Sequence, residues 1–328
     1  MNKPNIFNYA PSELSQDAFI CWLLSWSNPE VMTLNTELPM VSRRLLQAFF
    51  NKHNKSIPAN IEKYEVRKQY RNIDILVIIN DSVLIPIEDK IHSREHSDQL
   101  TRYIQLLKKE GHEDQNILPI YLQTGEQGDY KKVQESGFML LARAELLNIL
   151  KTGVNINNDI LNDYIVYLEE IEHQVQSFIH LDLDEWNGYS WQRFYNYLQT
   201  NLGDGEWDYV SNASGSFLGF WWHGNGDDEC DQYLQLEESK LCFKIAVDEK
   251  SRRTDLKWKW HERFLNAAEG SPISVVKPVL RNGNFMTVAA LDGDYRKTNK
   301  DGKIDLEKTL DILREVQRIY DKAESISD

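Results

Sequence analysis

Cysteine is scarce: the chain has three in 328 residues, Cys21, Cys230 and Cys242. An odd number, with no CxxC spacing and no cluster of cysteines with histidines, supports neither a disulfide scaffold nor a zinc ribbon, and reduced thiols fit the cytoplasm. Long apolar runs are missing too. No stretch approaches the roughly 18 residues of a membrane span, and the opening MNKPNIFNYAPSEL lacks the basic-then-apolar layout of a secretory leader. The expectation is a cytoplasmic protein with no membrane partner. There is no repeat of fixed period and no low-complexity tract. Nor is there an excess of basic charge: 37 Lys and Arg stand against 51 Asp and Glu, a net charge of −14. That excludes non-specific coating of nucleic acid, which releases counterions only from a basic surface. Cleavage of nucleic acid is not excluded, because a metal ion and a local basic patch can supply the missing charge.

What is present is enough for two domains, with 41% hydrophobic residues to build two cores. Glu13 to Trp26 follows Ser12, a candidate N-cap, and places Leu14, Phe19, Trp22, Leu23 and Trp26 at helical spacing. A second helix is expected over Glu37 to Lys52, then a strand over Ile61 to Tyr70. Ser97 to Glu110 reads as a helix with Leu100, Tyr103, Ile104 and Leu107 on one face and Gly111 as its stop. Strands at Ile117 to Leu122 and Phe138 to Leu141 and a helix over Arg143 to Leu150 complete a mixed α/β domain, with one crossover helix making one parallel pair. Asn157 to His180 is a long helical pattern, and the acidic stretch after it sets a boundary near Asp182. Residues 1–181 form the first domain with its connector helix. Residues 182–328 alternate strand runs with helices and read as a second, α+β domain.

Between these elements lies the most informative stretch. Ile73–Ile79 and Val83–Ile87 are apolar, β-branched runs separated by Asn80-Asp81, the pattern of a hairpin. Both carry charge where a buried strand should not: Asp74 in the first, Glu88, Asp89 and Lys90 at the end of the second. Side chains alternate, so Glu88 and Lys90 share a face and Asp89 takes the other. Antiparallel pairing brings Asp74 close to Glu88 and Lys90. Two carboxylates and one ammonium on an apolar hairpin are costly, and a divalent metal relieves the cost.

Asp74 followed by Glu88-Asp89-Lys90 resembles the PD-(D/E)XK nuclease superfamily, whose core is a helix, a three-stranded meander, a helix and a strand. Gln99 and Tyr103 match the QxxxY motif of the branch that resembles RecB-type nucleases, and Glu13 matches a glutamate that precedes the apolar face of the first helix in a bacterial branch. The likeness covers about residues 10–150, with Ile73 where the motif has proline. It implies a restriction-endonuclease-like mixed β-sheet core flanked by helices, α/β in class, and metal-dependent phosphodiester hydrolysis, in DNA rather than RNA, in genome defence or repair. Asp74 and Glu88 offer hard oxygen ligands for Mg²⁺ or Mn²⁺, and the Asp89 carbonyl a further one. Glu13 completes the shell directly or through water, with Asp17 as the alternative. Lys90 orients or deprotonates the attacking water. Gln99 and Tyr103 share a helix face and contact the scissile phosphate or Lys90. Arg71, Arg94 and Arg102 are candidates for flanking phosphates. Two other readings stand beside this one: a nuclease-like fold kept as a binding scaffold, in keeping with the acidic surface, and an RNA-cleaving toxin.

Other signals are weaker. The turn Asn299 to Ile304 places Lys297 and Lys308 where a calcium loop needs carboxylates, so it reads as a tight turn before the last helix. The carboxylates of Asp227, Asp228, Glu229 and Asp231 near His223 read as a solvated hairpin loop. Seven of the nine tryptophans lie in the second domain, including Trp221-Trp222 and Trp258-Lys259-Trp260. Core packing is favoured over base stacking for these pairs. Substrate selection, homodimerisation or a protein partner are the roles open to that domain.

Overall fold

The computed structural model describes residues 3–91, 93–95, 98–212 and 215–326, and the chain divides into two units, one up to His173 and one from Gln174. The first unit runs through α1 (Ile6–Tyr9), α2 (Glu13–Ser25), α3 (Leu38–Lys52), β1 (Tyr64–Tyr70), β2 (Ile73–Ile79), β3 (Val83–Lys90), α4 (Gln99–Lys109), β4 (Ile120–Gln123), α5 (Lys131–Glu135), β5 (Met139–Ala142), α6 (Arg143–Leu150) and all but the end of α7 (Asp159–Val175). Its strands form one mixed sheet in the order β1-β2-β3-β4-β5. The two hairpins are antiparallel, while β3 to β4 and β4 to β5 are parallel. The restriction-endonuclease-like architecture expected from the sequence is therefore present, with two parallel pairs instead of one. The second arises because α5 lies between β4 and β5; its single buried apolar residue, Val133, gives no periodicity to read.

Turn chemistry sets the hairpins. Asn80 and Asp81 have φ of 53° and 55°, and Arg71 and Asn72 have 50° and 72°. Both central residues of a type I′ turn need this left-handed backbone, which asparagine and aspartate tolerate best. The first turn fixes Ile79 opposite Val83 and Ile75 opposite Ile87. β3 is the central strand, and every residue after Val83 is buried.

Helices cover both faces of this sheet. Leu76 and Leu84 pack against Leu100, Tyr103 and Leu107 of α4. Phe19, Ile20, Leu23 and Leu24 are the buried apolar side chains of α2, each worth about 1.5–3 kcal/mol. Leu14, expected on that apolar face, is instead 60% exposed. The first turn of α2 directs Gln16 and Asp17 inwards. Ser12 occupies the N-cap position, but its hydroxyl contacts Ser15 and caps no main-chain N–H. Ser97, read as the start of the helix now seen as α4, lies outside the described residues.

The second unit holds α8 (Gly188–Leu202), β6 (Glu206–Asn212), β7 (Gly215–Gly226), β8 (Asp231–Glu237), β9 (Lys240–Ala246), α9 (Arg253–Ala268), β10 (Val275–Val276), β11 (Phe285–Leu291) and α10 (Leu306–Glu324). Its sheet is antiparallel, in the order β10-β11-β9-β8-β7-β6. Phe220, Trp222, Leu234 and Phe243 of the strands share a core with Phe194, Trp260, Phe264 and Tyr320 of the helices. Core packing is thus the role of Trp222 and Trp260, while Trp258 is exposed. The acidic hairpin loop is balanced by cations: Glu229 pairs with Arg252 at 2.6 Å and Lys259 at 2.8 Å. His223 Nε2 stands 2.6 Å from Asp321. Thr298 bridges Ile304 in a tight turn, after which Asp305 caps α10. Among the described residues no helix is long and apolar enough to cross a membrane.

Candidate active site

Glu88, Asp89 and Lys90 end the central strand, and one step beyond the pair Ile75 and Ile87, Asp74 comes opposite Glu88. The Asp89 N–H donates to Asp74 Oδ2 at 3.0 Å, and the Lys90 ammonium lies 2.5 Å from Glu88 Oε1. That last contact is a buried ion pair, with Lys90 the one cation beside the Glu88 carboxylate among the described residues. Lys90 also donates to the Asp89 carbonyl at 3.2 Å.

Glu88 is 0% exposed. Burial, and then the Asp74 carboxylate, push its carboxyl up to about 7, against the pull of Lys90. Burial works hardest against the Lys90 charge, yet the Glu88, Asp74 and Glu13 carboxylates together outweigh it and hold the ammonium above its usual pKa. Both pKa values are raised, which favours the neutral acid at Glu88 and the charged ammonium at Lys90, because one lysine serves two carboxylates. A deficit of positive charge is left at the strand end. Asp74 and Glu88 present the hard oxygens that Mg²⁺ or Mn²⁺ prefer. Among the described residues no three His, Cys, Asp or Glu side chains converge as a ready metal cage. An ion here would draw on two carboxylates and the Asp89 main-chain oxygen, leaving positions for water and substrate, as Mg²⁺ usually does.

Glu13 opens α2, and its Oε1 accepts from the Ile91 N–H at 3.1 Å and the Ser93 hydroxyl at 2.7 Å. It thereby pins the chain just beyond Lys90 and helps hold that lysine charged. The Asp89 side chain leaves by the opposite face, where Gln16 Nε2 donates to its Oδ1 at 2.6 Å. Thr124 and Tyr164 hydroxyls each donate to Gln16 Oε1 at 2.8 Å. Asp17 lies on this side too; burial and then Asp74 push it up to about 6. Asp89 is raised well above the carboxylate range, by burial first and by Asp17 against the Gln16 hydrogen bond. Asp89 therefore offers its carbonyl, not its carboxylate, to the Glu88 face.

On α4, Gln99 Nε2 donates to the Tyr103 hydroxyl at 2.5 Å, and Tyr103 donates to the Asn72 carbonyl. Burial raises the Tyr103 pKa, and the charges of Glu88 and Asp74 add to it. Arg71, Asn72, Gln99, Arg102, Tyr103 and Lys109 line a cavity of about 390 Å³. Two of the three candidate phosphate-binding arginines meet there. The third, Arg94, is half-buried between β3 and α4, close enough to Tyr130 to act on its phenol, and is not part of that lining.

The sequence model of the PD-(D/E)XK nuclease superfamily matches residues 4–212, more than half of the chain. This chain belongs to the PD-(D/E)XK nuclease superfamily. Members of that superfamily are nucleases, hydrolases of phosphodiester bonds that typically use divalent metals. Neither a curated protein nor a solved structure matches the chain. Within the PD-(D/E)XK pattern, Ile73 replaces the proline, and it sits fully buried in the cluster under α4. An apolar side chain is what that position uses.

Several residues around this strand end have no counterpart in the sequence reading. Gln16 carried a signal, since Glu13, Gln16 and Asp17 place polar groups together on a helix that should turn an apolar face inwards. Gln69 carried none: its φ is 54°, and its amide donates to Asp74 Oδ1 at 3.3 Å and Asp17 Oδ2 at 3.4 Å. Gly125 follows β4 so closely packed that a Cβ there would stand 1.7 Å from the Ile91 carbonyl oxygen. Arg143 braces the same bend, donating to the Thr124 carbonyl at 2.6 Å and pairing with Glu126 and Glu172. Gly125→Ala is expected to displace the chain after Lys90 and cost about 1–3 kcal/mol of stability. Thermal melts and cleavage rates, measured together, should both fall; a variant unchanged in both would show that the bend is not tight.

Proposed function

We propose that this chain is a divalent-metal-dependent nuclease of the branch resembling RecB-type enzymes, which hydrolyses phosphodiester bonds in DNA rather than RNA. The observation that carries this reading is the buried Glu88 carboxylate, facing Asp74, with only one lysine to balance both. Asp74, Glu88 and the Asp89 carbonyl would hold Mg²⁺ or Mn²⁺, with Glu13 completing the shell directly or through water. When bound, the cation supplies charge for the phosphoryl oxygens and lowers the pKa of water. Lys90, held protonated by Glu88, acts as a hydrogen-bond donor that orients the attacking water and faces the negative charge developing on the phosphate. Its raised pKa argues against Lys90 as the proton acceptor. Tyr103, fixed by the Asn72 carbonyl, and Gln99 present polar groups to the scissile phosphate. Arg71 and Arg102 hold neighbouring phosphates from the adjacent cavity, where a guanidinium fork matches two oxygens. Arg94 is a further phosphate contact. In this reading residues 1–181 are the nuclease domain, 182–328 an accessory domain open to a homodimer contact or protein partner, and the setting is cytoplasmic genome defence or DNA repair.

The test is cleavage of linear DNA, circular DNA and RNA by the purified full chain with Mg²⁺ or Mn²⁺. DNA should be cut, and chelation with EDTA should stop it. Intact DNA and RNA under every metal condition would return the protein to a nuclease-fold scaffold.

A further inference from the structure

An antiparallel sheet with helices on one face normally turns polar side chains to solvent on the other. The six-stranded sheet of the second unit turns large rings there as well. Opposite its core face, Phe217 and Trp221 of β7, Tyr233 of β8 and Phe285 of β11 line one open groove of about 690 Å³. Phe285 is 69% exposed, and large apolar groups left open together mark binding surfaces.

The groove has a polar floor. Tyr233, Lys244 and Thr287 stand side by side across three strands. Lys244 donates to Glu237 at 3.0 Å and Thr287 at 3.1 Å, and Gln235 donates to the same Glu237 oxygen at 3.0 Å. Arg281 at the rim makes no ion pair with any described residue and is exposed. The lining thus carries two cations, Lys244 and Arg281, against the single carboxylate Glu237, on a chain whose net charge is −14. Lys277 lies near the same rim segment, 4.3 Å above the Trp258 ring, and Lys257 donates to Asn282 at 2.5 Å.

These features narrow the ligand. The groove lies over β7, β8, β9 and β11, and Val210 and Ser211 bring the edge strand β6 into its lining. It offers flat rings, side-chain amides and a free guanidinium, the combination that binds unpaired bases by stacking and their phosphates by charge. We infer that the outer face of this sheet is a single-stranded nucleic-acid site, in which Phe285 and Trp221 stack bases and Arg281 meets the phosphate backbone. The inference rests on the nuclease reading for its biological sense, since it makes the accessory domain the holder of an unpaired strand.

The experiment measures fluorescence anisotropy of a labelled single-stranded oligonucleotide with the full chain in EDTA, so that binding is read without cleavage. Phe285→Ala, an exposed position that leaves the core intact, should weaken binding about tenfold or more, the scale of one lost stack. Trp221→Ala should do the same, and Arg281→Ala should reduce the salt dependence by about 0.7 in log–log slope. Equal affinity of wild type and Phe285→Ala would overturn the inference, as would duplex DNA competing as well as the single strand. Preference for extended peptides over oligonucleotides would also overturn it. Cleavage by the wild type alongside unchanged binding in Phe285→Ala would remove this site and leave the nuclease reading standing. Binding lost in Phe285→Ala in a protein that cuts nothing would support the groove and remove the nuclease reading.

Discussion

Glu88→Gln is expected to abolish cleavage, by about 10²–10³-fold or more, while making the metal-free protein more stable at pH 8. The two effects have one cause. The folded carboxyl titrates at about 7, above its usual 4.5, so the folded state binds this proton more tightly than the unfolded chain. Stability from this group is complete below pH 4.5 and is lost as pH rises through 7. Above that, the buried charge costs about 3 kcal/mol. Glutamine removes the charge and leaves Lys90 facing Asp74 alone, one cation to one carboxylate. Asp17 and Asp89 are raised in the same sense, so the variant keeps a shallower decline between pH 5 and 8. Added Mg²⁺ or Mn²⁺ should raise the wild-type midpoint and leave that of the variant nearly unmoved. A variant that cuts normally, or melts lower than wild type at pH 8 without metal, would refute this account of the site.

Lys90→Met should be equally inactive, losing about 10²–10⁴ in rate, but with the opposite effect on the fold. It leaves Asp74 and Glu88 facing each other with no compensating charge, a loss of about 3–5 kcal/mol at pH 8. Near pH 6, where Glu88 is protonated, most of that loss should vanish. The double variant Glu88→Gln/Lys90→Met should recover stability without recovering activity. Urea denaturation of the three variants at both pH values checks this, and a Lys90→Met protein as stable as wild type at pH 8 would show that the lysine balances nothing.

The strand end could be read from sequence because two local rules act together there. Asn80-Asp81 announces a turn, the turn sets the register, and period-two alternation then places Asp74 against Glu88 and Lys90. Gln99 and Tyr103 follow the helical period in the same way. Where a residue's role depends on a distant segment, the sequence is silent. Nothing near Asp89 shows that its side chain meets Gln16. Nothing near Gly125 shows the Ile91 carbonyl, and three similar arginines gave no sign that only Arg71 and Arg102 share a cavity. Leu14 misled because helical spacing alone cannot tell an apolar face from a helix end turned towards charged groups. The buried tryptophans were legible, since a large apolar ring at alternate positions of a sheet or helix usually enters a core; the open aromatic face beside Trp222 was not, because the pairing of four strands builds it.

The three residues joining β2 to β3, Asn80 to Ser82, are a solvent-side connection of the kind that ordinarily tolerates changes in length. Here they act as a gauge. One residue more or fewer would slide β3 by one position and exchange its faces, sending Glu88 and Lys90 towards Gln16 and Asp89 towards Asp74. Insertions and deletions at this tip should therefore silence the protein while leaving it folded.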